Sequence, residues 1–323
     1  MAESTLSPKY SDFRADIGWR LGYTRTPANW SSEQTSQILD TLKAAQRRVY
    51  TAHRWRFMEP SAELTTVEPY STGTVTIVAG VVTLASGTFP SWAADGDLIV
   101  SNVAYSINTR DSGSQVTLDD LTVAASAGST YELARSAYTL DDNFGGMVGP
   151  LYYVPENNRR KIIPIVGLGD ILARRQSSAR TGTIQCAAIR PKAFVTATGQ
   201  RYEFLPYPMA DAIYRLIYKY RAIPDHLTSD NYPLGGEIIG ETLRLACLVQ
   251  CEALVNDGAN LAVVKQEYME SLQRSIAMDS DLYAPDRLGY NGDPSNDSPD
   301  FARFADGRGL SSALRYNGTQ YTD

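Results

Sequence analysis

Arginine is the residue type whose clustering in this chain could do chemistry. Arg47, Arg48, Arg54 and Arg56 gather with His53 at the end of one helical stretch. Arg159, Arg160 and Lys161 form a second group, and Arg174, Arg175 and Arg180 a third. A guanidinium is a planar fork of donors that fits phosphate or carboxylate. Such groups would serve phosphate contact or a salt-bridged subunit interface. A solvated face with cations near helix C-termini, favourable to the dipole, accounts for each cluster taken singly. Three clusters in an acidic chain shift the balance toward an electrostatic interface.

The other reactive residue types form no catalytic pattern. Cys247 and Cys251 stand four apart on a predicted helix, with Cys186 as a distant third. A zinc site needs four ligands, and no histidine lies nearby in sequence, so core packing is the expectation. His53 and His226 fit no motif; His53 is expected in an aromatic cluster and His226 in a surface loop. No Gly-x-Ser-x-Gly elbow or Ser-x-x-Lys occurs. Gly167-x-Gly169 lacks the third glycine of a dinucleotide fingerprint, and Gly145-Gly146 has no following Lys-Ser/Thr. The carboxylate pairs Asp119-Asp120 and Asp141-Asp142 read as turn residues, too few for calcium. The expectation is a protein without catalytic residues, cofactor or metal.

Composition narrows the class. The 323 residues can bury a sizeable core, and the net charge of −6 argues against a DNA binder with a basic surface. Three cysteines are too few and odd in number for a disulfide framework, so reduced thiols are expected. No apolar run reaches membrane-spanning length, and the first residues carry no apolar leader. Twenty tyrosines supply amphipathic contact area, which suits assembly surfaces as well as strands.

The elements that must position these groups follow from periodicity. Residues 1–30 read as an irregular arm with a short helix around Ser11 to Trp19. Ser31 and Gln34 make a capping box, and Ile38, Leu42, Ala45 and Val49 mark a helix from about Ser32 to His53. Together these make residues 1–64 the arm and first helix of a main domain. Residues 65–138 contain no lysine and alternate short strand patterns with turn signals. Five strands at that spacing predict a small all-β barrel or sandwich inserted into a helical frame. Residues 139–280 continue the main domain. They hold Asp170 capping a short helix, and strand candidates at Thr183 to Arg190, Ala193 to Thr198 and Arg201 to Leu205. These are expected to pair near a strand from Ile213 to Arg221, where Tyr214, Leu216, Tyr218 and Tyr220 alternate with Arg215, Ile217, Lys219 and Arg221. Two helix patterns, split by Asn256-Asp257-Gly258, make an αα-hairpin. The fold class expected is α+β. Residues 281–323, with seven Asp against four Arg, read as an extended C-terminal tail dotted with Phe301, Phe304, Leu310, Leu314, Tyr316 and Tyr321.

This order of features resembles the head-to-tail adaptor (connector) proteins of tailed bacteriophages. The resemblance rests on His53-Arg54-Trp55-Arg56-Phe57 with Ala62-Glu63-Leu64-Thr65-Thr66, on the β-rich segment, and above all on Arg201-Tyr202-Glu203-Phe204, Tyr218-Lys219-Tyr220-Arg221-Ala222-Ile223-Pro224 and Leu227-Thr228-Ser229-Asp230 before the αα-hairpin. It covers roughly residues 30–280. It implies a virion protein assembled in the host cytoplasm: a ring, usually of twelve subunits, docked beneath the capsid portal protein. A tail or nozzle protein binds its far side, and viral DNA passes through in transient, non-specific contact. It implies no membrane. The tail anchors Phe301, Phe304, Leu310, Leu314 and Tyr316 would meet the portal. Arg47, Arg48, Arg54, Arg56, Arg159, Arg160, Arg174 and Arg175 would line a subunit interface or the DNA lumen. Other readings are a tail or nozzle component, a β-rich carbohydrate- or receptor-binding module using Trp92, Tyr105 and Asn102, and an enzyme with a spatially assembled site.

Overall fold

The computed structural model describes residue 4 and residues 6–154, 162–255, 260–282, 314–316 and 319–321. Five α-helices lie among them: α1 (Tyr10–Arg20), α2 (Ser32–Ala52), α3 (Leu168–Ser177), α4 (Glu237–Val255) and α5 (Leu261–Leu282). Antiparallel sheets make up much of the rest, so the chain is α+β. The described residues divide into two compact units, one within Met1–Pro60 and Arg221–Tyr290, the other within Ser61–Tyr220 and Asn291–Asp323.

The first unit is helical. The Ser31/Gln34 capping box forms: Ser31 Oγ accepts from the Gln34 N–H, and Gln34 Oε1 accepts from the Ser31 N–H. From there Ile38, Leu42, Ala45 and Val49 recur on one face of α2 and are fully buried. They pack with Ile239, Leu243 and Ala246 of α4 and with Tyr268 of α5. The helix ends at Trp55, whose indole N–H donates to Val49 O and whose ring meets His53 edge-on and stacks on Phe57. The short helix expected in the N-terminal arm around Ser11 to Trp19 forms as α1, one residue longer at each end. In α1, Phe13 and Ile17 are buried in the same core.

Where α4 meets α5 a chain of hydroxyls is buried. Ser275 donates to Ile238 O, Thr242 lies 2.7 Å from both Ser275 and Ser271, and Thr242, Ser271 and Ser275 are nearly inaccessible. Ser275 spends its only hydrogen on the carbonyl. Thr242 must then donate to Ser275, and Ser271 to Thr242. One arrangement of hydrogens satisfies all three.

The second unit is built of strands. Seven form a sheet in the order Ala125–Ser129, Val75–Val78, Val81–Leu84, Gln115–Leu118, Val103–Arg110, Gly96–Val100, Glu132–Arg135. Val75, Ile77, Val82, Phe89, Leu98, Val116, Leu118 and Leu133 fill its core. The expected five strands become seven. The run from Asp97 to Ile107 holds two strands, Gly96–Val100 and Val103–Arg110, and Ala125–Ser129 adds an edge strand on the opposite side of the sheet from Glu132–Arg135.

The strand Arg215–Ala222 pairs with Ser61–Thr65, with Leu151–Tyr153 and with Phe144–Met147. Leu216, Tyr218, Tyr220 and Ala222 are its buried face. It does not pair with the strands expected beside it. Cys186–Pro191 and Tyr202–Tyr207 instead form a separate sheet with Tyr138–Thr139. The tyrosines supply the reason. Tyr220 stacks on Phe144, and Tyr214 meets Tyr153 edge-on, so aromatic partners far along the chain select the neighbours.

Two further local expectations are corrected. Gly167 occupies the N-cap of α3, and Asp170 lies inside its first turn. Residues Ala193 to Thr198 form no strand. They are an exposed loop closed by a Val195–Gly199 bridge, because nothing packs on either face. Ile223-Pro224 does follow the end of the tyrosine strand.

The hydroxyl chain yields a test. Thr242→Val removes the central hydroxyl, which leaves buried Ser271 without its acceptor and Ser275 without its donor while Ser275 keeps its bond to Ile238 O. It should cost about 1–3 kcal/mol in urea unfolding of the full-length chain, whereas Thr51→Val, at an exposed helix position, should stay within about 0.5 kcal/mol.

Candidate assembly interface

The arginines of α2 divide by environment. Arg47 is exposed. Arg48 is half-buried, with its guanidinium 4.9 Å from the centre of the Tyr268 ring, joining α2 to α5. Arg54 is exposed but donates Nε to the nearly buried Glu59 carboxylate at 2.6 Å. The Arg56 side chain is exposed, while its backbone N–H donates to the fully buried Asp279 of α5 at 3.0 Å. Arg47, Arg54 and Arg56 thus present exposed side chains, whereas Arg48 is spent between α2 and α5. His53 sits at the C-cap of α2 against Trp55, and His226 is exposed.

The arginines of α3 behave differently. Arg174 is exposed, 6.0 Å from the Tyr207 ring, and Arg180 approaches the same ring at 5.8 Å. Arg175 turns inward. Its Nη2 donates to Ser136 O and to Pro206 O, each at 2.8 Å, and its Nη1 lies 3.8 Å from Asp97 Oδ2. Burial lowers its pKa, and the Asp97 charge opposes that shift. Ser136 follows the edge strand of the seven-stranded sheet, whereas Pro206 belongs to the three-stranded sheet. One guanidinium thus ties α3 to both.

A second set of charges continues that seam. Asp95 pairs with Arg135 at 3.2 Å and with Lys192 at 3.3 Å. Lys192 also reaches Glu203 at 3.4 Å, and Glu203 pairs with Arg190 at 2.9 Å. Sequence reasoning missed this network. Its trace in the sequence is the pair of carboxylates around Gly96, Asp95 and Asp97, whose side chains face the seam.

Arg159, Arg160 and Lys161 lie outside the described residues, as do Phe301, Phe304 and Leu310. Leu314 and Tyr316 fall in a short hairpin, Leu314–Tyr316 paired with Thr319–Tyr321. The two described arginine groups lie in different units.

Other sequence candidates take structural roles. Asp141 accepts from the Tyr218 hydroxyl at 2.8 Å, which together with burial raises that phenol's pKa. Asp120 accepts from the Thr122 N–H and hydroxyl, holding a turn. Trp92 and Tyr105 are half-buried against the core of the seven-stranded sheet, which spends part of both rings. Cys186, Cys247 and Cys251 are free and buried. Burial raises the Cys247 pKa and pushes that of Cys251 to about 12, with Arg20 opposing. Among the described residues no group of three or more His, Cys, Asp or Glu is placed to hold a metal ion. None of the described helices is long and apolar enough to cross a membrane.

A family model described as SU10 adaptor protein matches residues 8–289. No curated protein matches the chain.

Two outcomes test this geometry. Arg175→Ala strands Asp97 and two carbonyls and should cost about 3–5 kcal/mol in urea unfolding. Arg174→Ala, on the exposed side of the same helix, should cost less than about 1 kcal/mol. The thiols give a pH test. A thiol whose pKa is raised by folding disfavours the folded state once the unfolded thiol ionises. Stability should therefore fall as pH rises from the ordinary thiol value of 9.0 toward about 12. Replacing Cys251 by alanine should flatten that alkaline limb in a pH series of thermal unfolding.

Proposed function

The chain belongs to the family of phage head-to-tail adaptors described as SU10 adaptor protein, and on that footing we propose that it forms a ring joining the capsid portal to the tail. The observation that carries this reading is the extent of the match, which takes in all five helices and the seven-stranded sheet. The ring has twelve subunits, and its lumen is part of the DNA conduit. Its task is structural, and it carries no catalytic site.

Physical arguments support the reading. A closed ring needs two different, complementary surfaces on each subunit. A net charge of −6 suits a conduit, since tight phosphate binding would hold DNA back. The exposed Arg47 and Arg174 are free of the interior ties that occupy Arg175, which leaves them available to a neighbour or to passing DNA. Residues 65–138 are a barrel-like insertion in the chain between residues 1–64 and 139–280, with α4 and α5 as an αα-hairpin. Residues 281–323 reach the portal and fold onto it through Phe301, Phe304, Leu310, Leu314 and Tyr316. Burying such anchors offsets the entropy of ordering an extended segment. The opposite face of the ring receives the tail or nozzle protein, and assembly takes place in the host cytoplasm.

Mass measurements on the full-length protein and on a version ending at Ser280, each with and without the portal protein, test the proposal. Full-length protein should join the portal as a ring, and the shortened form should fail to join. If neither form binds the portal, the adaptor position is wrong. If both bind equally, the role of residues 281–323 is wrong.

A further inference from the structure

Within the helical unit, α2 and α4 leave an open groove of about 660 Å³ between them. Ala44, Ala253 and Leu254 give it an apolar floor, and Glu33 and Asp40 stand on its rim. Both carboxylates are exposed, and neither is in an ion pair among the described residues. Leu254 is 53% exposed, a large apolar side chain left to water at the end of its helix. The groove therefore asks for an occupant that is apolar in the middle and cationic at its edge.

The same unit carries such a feature beside the groove, where Tyr23 donates to Gln37 of the groove lining. Trp19, on the outer side of α1, is 62% exposed. The Arg25 guanidinium lies over its ring at 5.3 Å, and Arg25 is itself exposed. The loop between them is held. Gly22 turns the chain at φ +82°, the Trp30 indole N–H donates to Thr24 O, and the Tyr23 hydroxyl donates to Gln37. A positioned tryptophan with a cation on its face loses little conformational entropy on docking, and this residue pair is enriched at the hot spots of interfaces.

We propose that the Trp19–Arg25 knob of one subunit seats in the α2–α4 groove of a second copy of this chain, with Arg25 against Glu33 and Asp40. Knob and groove are different surfaces, so the contact is heterologous and propagates around a ring. The partner is inferred from charge: an acidic rim in no ion pair among the described residues, and an exposed cation stacked on an apolar ring. The proposal rests on the ring of the preceding subsection and names a surface that builds it.

The test uses full-length protein with the portal protein, reading the number of adaptor subunits per assembly by native mass spectrometry. Trp19→Ala, Arg25→Glu and the pair Glu33→Lys with Asp40→Lys change exposed positions, so the fold should survive; circular dichroism checks it. Each should weaken subunit association by about tenfold or more. Combining Arg25→Glu with Glu33→Lys and Asp40→Lys exchanges the charges and should restore assembly. Recovery by exchange is an outcome that a merely destabilised variant would not give. If wild type and all variants form the same ring, the knob and groove are not the interface, and the adaptor reading stands. If the single changes abolish assembly and the exchange does not restore it, the pairing of Arg25 with that rim is wrong. If wild type never forms a ring, with or without portal, the ring and this contact fall together.

Discussion

A guanidinium withdrawn from water needs its charge answered and its donors used, and the two Nη groups of Arg175 find partners only when three elements are in place together, while its Nε has none among the described residues. Its helix supplies the side chain. The seven-stranded sheet supplies Asp97 and the Ser136 carbonyl, and the three-stranded sheet supplies the Pro206 carbonyl. Burying such a charge costs several kcal/mol before its partners are counted. The penalty for missing any one partner is therefore large, and the contact discriminates against other placements of α3. The neighbouring Asp95, Lys192, Glu203 and Arg190 extend the same seam with pairs that water can still reach. Those contribute less each, and mostly fix register.

The helical unit achieves order by another route. Its core is apolar along α2, α4 and α5, and non-polar packing alone tolerates sliding of one helix along another. The hydroxyl chain from Ser271 through Thr242 and Ser275 to Ile238 O removes that freedom. A shift of one turn would bury three unpaired hydroxyls. Both units thus use a few buried polar groups to select one arrangement, and leave the bulk of the stability to apolar burial. For a phage adaptor protein this has a use, since a subunit of one shape offers every partner the same surface.

How much of this was legible beforehand depended on distance along the chain. Local signals read well. The Ser31/Gln34 box, the Ile38–Leu42–Ala45–Val49 face and the Tyr214–Tyr220 alternation each depend on residues within a few positions of one another. The aromatic cluster around His53 and Trp55 was visible for the same reason. What failed was partner choice. Strands near in sequence were expected to pair, yet Arg215–Ala222 chose Ser61–Thr65 and Phe144–Met147, because Tyr220 stacks on Phe144 and the intervening residues close into their own sheet. The Ala193 to Thr198 run has strand-like residues and no surface to lie on.

The sequence by itself determined the class of the protein: α+β, acidic, tyrosine-rich, with reactive residues in no catalytic pattern and a resemblance to phage adaptors carried by short runs of neighbours. It also determined where helices begin, since capping is a contest between adjacent groups. Only the tertiary structure decided the fate of each arginine. Arg174 and Arg175 are adjacent and chemically identical, yet one faces water and the other is spent holding two sheets to a helix. No pattern of charge in the sequence separates them, because the difference lies in a carboxylate and two carbonyls that arrive from 30 to 80 residues away, roughly, and are brought there by burial of unrelated apolar faces.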